Sequence, residues 1–110
     1  MRINIDQDRD RLDDIHIFFR VKLVVDFSPE ELAIISSRAL GDHVIMDRKQ
    51  TRPNLGAPNE DDDGPNPLLI KNLVGKQLDV MWFWTKDEAA EYHTQLNDKM
   101  RELQEYIAAP

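Results

Sequence analysis

The sequence predicts an α+β domain, a two-layer sandwich in which one mixed sheet of three to four strands carries two helices on one face. Three observations lead there. "IHIFFRVKLVVDF" (15–27) alternates strictly between an apolar and a mixed face, "DVMWFWT" (79–85) is a second β-type run, and apolar residues recur at helical spacing through the last quarter of the chain. At 110 residues the chain has room for one domain, 1–110. Ile, Leu, Val and Phe account for 30 of those residues, well above the level at which disorder becomes the expectation.

The elements follow in order β-α-β-loop-(β)-β-α. Residues 1–14 form a flexible arm or, over "RINID" (2–6), a short partner strand, with "QDRDRLDD" as the turn that follows. In 15–27, Ile15, Ile17, Phe19, Val21, Leu23, Val25 and Phe27 share one face of a long strand, because side chains alternate across a strand. "SPEE" (28–31) opens a helix: Ser28 caps, Pro29 suits the first helical position and Glu31 reaches back in a capping box. Leu32, Ile35, Ala39 and Leu40 make its buried stripe, and Gly41 supplies the stop. "HVIMD" (43–47) is a second strand, and a β-α-β unit of this kind allows the two strands to lie parallel.

Residues 51–66, with three prolines and no apolar period, form a long acidic loop. "LLIKNLV" (68–74) reads equally as a strand or as a short helix opened by Pro67 and closed by Gly75. After the strand at 79–85, Thr85 and Glu88 make a second capping box. The last helix then buries Ala89, Tyr92, Leu96, Met100, Leu103 and Ile107.

Several function classes lack their parts. The chain has no cysteine, which excludes disulfides, thiolate catalysis and cysteine-based zinc sites. A net charge of −7 argues against direct nucleic-acid binding, which needs clustered Lys and Arg. No apolar stretch of signal-peptide length opens the sequence and none is long enough to span a membrane, so a cytoplasmic chain without membrane contact is expected. No serine sits at a nucleophile elbow, the four glycines are too dispersed to cradle phosphate, and His16, His43 and His93 have no second histidine at helical ligand spacing. Nothing supports an enzyme, and no cofactor is implied.

The acidic run Glu60, Asp61, Asp62 and Asp63 invites a calcium reading. With Asn59 as first ligand of an EF-hand-type loop, Asp61, Asp63 and Gly64 fall on positions 3, 5 and 6. Position 12, which needs a bidentate Glu, is Ile70, so the run is expected to be a solvated loop without metal, or a charged finger for a basic partner.

"DVMWFWT" carries the strongest positive signal. Val80, Trp82 and Trp84 share one side and Met81 and Phe83 the other, so a strand apolar on both sides needs cover on both sides. Strand aromatics are usually core, which would turn both tryptophans to the helices and put Met81 and Phe83 under the loop. Alternatively a second subunit or a ligand covers one side. Phe18 adds to the demand, and the end of the last helix (Met100, Leu103, Ile107) is long enough to overhang a small sheet. The expectation is a non-catalytic protein-interaction module, self-associating as a homodimer or binding another protein. A small-molecule or enzymatic pocket near Trp82, Trp84 and His16 is one alternative. An acidic decoy for a basic nucleic-acid-binding protein is the other.

Overall fold

The computed structural model describes residues 1–11, 13–48, 67–75 and 77–109. Among them the order is β1 (Arg2–Arg11), β2 (Ile17–Asp26), α1 (Pro29–Ser37), a 3-10 turn (Leu40–Asp42), β3 (Val44–Met46), β4 (Leu68–Leu69), α2 (Ile70–Leu73), β5 (Gln77–Phe83) and α3 (Lys86–Ala108). The α+β class is as expected. The strand pairing differs: β1-β2-β5 form one antiparallel sheet, and β3-β4 form a separate antiparallel ladder. The segment at 43–47 therefore does not lie parallel to β2. The ambiguous segment at 68–74 is both things in turn, two residues of strand and then one helical turn, with Gly75 at φ +73° closing it.

The N-terminal arm is a full-length strand. β1 pairs with β2 from Arg2 opposite Asp26 to Arg11 opposite Ile17, so the stretch read as a turn is mostly ladder. Its residues explain why. Ile3 and Ile5 pack on the core, while Asp8 and Asp10 on the opposite face reach diagonally to Lys22 (2.5 Å) and Arg20 (2.8 Å). The Lys22 ammonium, hydrogen-bonded to Asp8, holds that carboxyl below its ordinary pKa. Such exposed pairs are worth up to about 1 kcal/mol each. They select register, and the apolar face supplies most of the stability.

α1 starts as expected. Glu31 N–H donates to Ser28 Oγ (3.1 Å) and Ser28 N–H donates to Glu31 Oε1 (2.9 Å). Its end is different. The backbone turns left-handed at Ala39 (φ 53°), ahead of Gly41. Ile35 and Leu40 are buried, but Leu32 is exposed. Arg38 then ties α1 to the far end of α3, its guanidinium donating to the Tyr106 and Ala109 carbonyls at 3.5 and 3.1 Å. A cation at a helix C-terminus is also favoured by the helix dipole.

All six expected stripe residues of α3 are buried, Met100, Leu103 and Ile107 among them. Together with Val21, Leu23 and Val25 of β2 and with Ile35, Leu40, Ile45, Leu68, Ile70 and Leu73 they make one core on a single side of the sheet. Ile107 is only 2% exposed, so the end of α3 packs on its own chain and does not overhang. Thr85 caps it, accepting from Glu88 N–H (3.2 Å). The Glu88 carboxylate takes the Thr85 hydroxyl (2.7 Å) where the box motif would have it take the backbone N–H.

β5 contains one residue more than its partner. Met81 stands opposite Val21 and Asp79 opposite Lys22, leaving Val80 as a bulge. The bulge reverses the alternation. Leu78, Val80, Met81 and Phe83 all belong to or pack on the core, while Trp82 falls opposite Arg20 on the outer face. The reading that turned both tryptophans to the helices is thus corrected, because a strict two-residue period does not continue through a bulge.

One stability test follows from Ala39. A left-handed backbone costs a residue with a Cβ roughly 1–2 kcal/mol, part of which glycine returns as unfolded-chain entropy. Ala39→Gly is expected to raise the unfolding free energy by about 0.5–1 kcal/mol in urea titration. A loss of stability would show that the left-handed turn is not the native one.

Candidate functional site

Phe18 and Trp82 are 6% and 8% exposed, yet neither belongs to the main core. They pack against each other edge to face at 6.5 Å on the outer side of the sheet, with the Arg20 guanidinium 5.9 Å from the Phe18 ring. Trp84 continues the row, perpendicular to Trp82 at 4.8 Å, and His16 lies 6.3 Å beyond it. The row ends exposed: Trp84 is 42% accessible, and Ile15, at the tip of the β1–β2 hairpin next to His16, is 81% accessible. Of the aromatic and apolar residues singled out in the sequence, Phe18, Trp82 and Trp84 come together here. Met81 and Phe83 point to the core side, where Phe83 packs on Tyr92 at 5.3 Å.

Trp84 also borders a hollow. β2 pairs with β5 only from Phe19 to Val24, so the β1–β2 hairpin continues past the end of β5. The space beside it, about 660 Å³, is lined by Gln7, Arg9, Ile17, Phe19, Trp84 and Lys86. Gln7 Oε1 lies 3.0 Å from His93 Nδ1. Among the described residues neither Arg9 nor Lys86 forms an ion pair. A second hollow of about 270 Å³ opens by His43 and Tyr106, whose rings stack at 6.0 Å. Its cation and anion, Lys99 and Glu102, lie 3.8 Å apart and neutralise each other.

The hairpin turn adds a contact that forward i+3 and i+4 spacing from the histidines did not reveal. Asp13 Oδ1 accepts from the backbone N–H groups of Ile15 (2.9 Å) and His16 (2.8 Å), and both carboxylate oxygens lie 2.8 Å from His16 Nδ1. The backbone donors, then the imidazole, hold the Asp13 carboxyl below its ordinary pKa. An imidazole held by a carboxylate at Nδ1 has Nε2 as its other ring nitrogen, the pairing found in general bases. No hydroxyl bonds to it among the described residues and the chain has no thiol, so no nucleophile accompanies it there. The clue lay in sequence: an Asp three residues before a His in a turn, where Asp commonly bonds the following backbone.

Tyr92 is the other unusual group. Its hydroxyl is buried and, among the described residues, has no hydrogen-bond partner, as is true of Arg48 Nε. Burial pushes the phenol up to about 12, with Arg48 pulling the other way and Asp47 adding to the rise. Burial likewise lowers Arg48, an effect that Tyr92 opposes.

The acidic run Glu60, Asp61, Asp62 and Asp63 lies outside the described residues. Among the described residues no three His, Asp or Glu side chains lie together as metal ligands, and no helix is long and apolar enough to cross a membrane. Comparison with protein-family models, with curated proteins and with solved structures finds no match.

Two expected outcomes test this geometry. Removing the unpartnered Tyr92 hydroxyl relieves a buried polar group that costs about 1–3 kcal/mol. Tyr92→Phe should therefore leave stability unchanged or raise it by about 1 kcal/mol. The folded phenol holds its proton longer than the unfolded one, so the parent's stability should fall as pH rises from 10 toward 12, and Tyr92→Phe should remove that component. Thermal melts across that range measure both. The second outcome concerns the tryptophans. Trp82→Ala empties a buried site and should cost about 3–5 kcal/mol, whereas Trp84→Ala should cost much less. Equal losses would show that Trp84 is as deeply packed as Trp82.

Proposed function

We propose that this chain is a small non-catalytic protein-interaction module that pairs with a second copy of itself through the hairpin end of its sheet. The observation that carries the reading is the exposed apolar pair Ile15 and Trp84 at the point where the outer aromatic row leaves the fold. An apolar patch rimmed by charge is the ordinary mark of a contact surface, and tryptophan is a favoured anchor in one.

Two features favour a second copy over an unrelated chain. The hairpin end carries both signs of charge, Arg11 beside Asp13 and Asp14, so a two-fold axis there brings opposite charges within reach despite the net −7. The same end also supplies enough chain. A standard interface buries about 800 Å² per partner, more than one tryptophan's roughly 150–250 Å². The projecting hairpin beyond β5 extends the surface around Trp84.

Light scattering over a concentration series tests the proposal. The parent is expected to run as a dimer, and Trp84→Ala and Ile15→Asp as folded monomers. A parent that stays monomeric throughout, or variants that stay dimeric, would refute it.

A further inference from the structure

We propose that the hollow between the β1–β2 hairpin and the start of α3 is a binding site for a small carboxylate carried on a flat or chain-like apolar body. This goes beyond self-association; both use Trp84, so the ligand is expected to compete with the dimer contact. The argument starts from the lining. Ile17, Phe19 and Trp84 give an apolar wall, and the volume of about 660 Å³ falls in the range that accommodates small organic ligands. The polar groups around that wall among the described residues are Gln7, Arg9 and Lys86, with no carboxylate among them. In a chain with 21 acidic and 14 basic residues, a hollow whose described lining holds two bases and no acid favours an anion over a cation.

The three polar groups also agree in sense. Arg9 and Lys86 can only donate. The Gln7 carbonyl oxygen lies 3.0 Å from the His93 ring nitrogen, and the Gln7 amide nitrogen is a further donor at the hollow. A set made only of donors matches an acceptor-only group, and a carboxylate is one. Both cations are without an ion pair among the described residues, so binding breaks no existing bridge. In the smaller hollow near Tyr106, Lys99 already has Glu102. Trp84 offers the ligand's apolar body a ring face or edge, and its fluorescence reports occupancy.

The test uses a matched pair, 4-phenylbutyrate and its neutral amide, titrated into the full chain by calorimetry and tryptophan fluorescence. The acid is expected to bind at least about tenfold more tightly than the amide, the scale of charge-assisted hydrogen bonds. Arg9→Gln with Lys86→Gln, both at exposed positions and expected to melt as the parent does, should erase that difference and leave the amide's affinity unchanged. Equal binding of acid and amide by the parent would overturn the proposal, and so would the absence of any saturable signal for either. An acid preference that survives the double substitution would overturn the assignment to this hollow. The comparison of acid with amide rests on the parent alone, so it remains decisive even if the variant were to fold poorly.

Discussion

Val80 has no residue opposite it on β2, and the arrangement of the sheet depends on that. Up to Asp79 the last strand alternates one way, and from Met81 it alternates the other. The extra residue lets Leu78, Val80, Met81 and Phe83 all serve the core beneath α3, and it sends Trp82 to the opposite face beside Phe18. Without the bulge, Trp82 would share the helix side with Leu78 and Val80, and Met81 and Phe83 would face outward. The outer aromatic row, the exposed Trp84 at its end and the hollow that Trp84 borders all follow from one residue of register. Bulges commonly re-aim side chains next to sites of this kind.

Much of the fold was legible because its signals are local. The Ser28–Glu31 box forms as its spacing requires, and the six-residue stripe of α3 is buried to its last member. The failures share a cause, which is dependence on a distant partner. "QDRDR" resembles a turn by composition. It is a strand because Asp8 and Asp10 find Lys22 and Arg20 across the ladder, a pairing visible only once the register is known. The Val80 bulge leaves no mark in a run that is apolar at every position from Val80 to Trp84, so either register turns apolar side chains inward. Ala39 adopts the left-handed turn two residues before the glycine that composition favours for it.

The candidate site divides in the same way. Phe18, Trp82 and Trp84 were marked by a simple argument, that a strand apolar on both faces needs cover on both. The polar half of the hollow was not found. Gln7 and Arg9 lie in the stretch read as a turn, and Lys86 looked like an ordinary first residue of a helix. Met100, Leu103 and Ile107 drew attention through helix length alone. Their burial shows that a long amphipathic helix can be used up entirely by its own sheet and the β3–β4 ladder beneath it.

The outer edge of β1 has no strand beside it among the described residues, and its sequence bears on how copies of this chain can meet. Asp6, Asp8 and Asp10 occupy alternate positions and so share one face. If two molecules zipped edge to edge in antiparallel fashion, the registers using nearly the whole strand would oppose Asp6 to itself or to Asp8, or Asp8 to itself. Like charges placed directly across a ladder are unfavourable, and charge on an edge strand is a usual means of preventing sheets from growing. The edge therefore discourages a second copy from joining the sheet strand to strand along β1. The hairpin contact proposed above would be two-fold, so it would close on itself and stop at two.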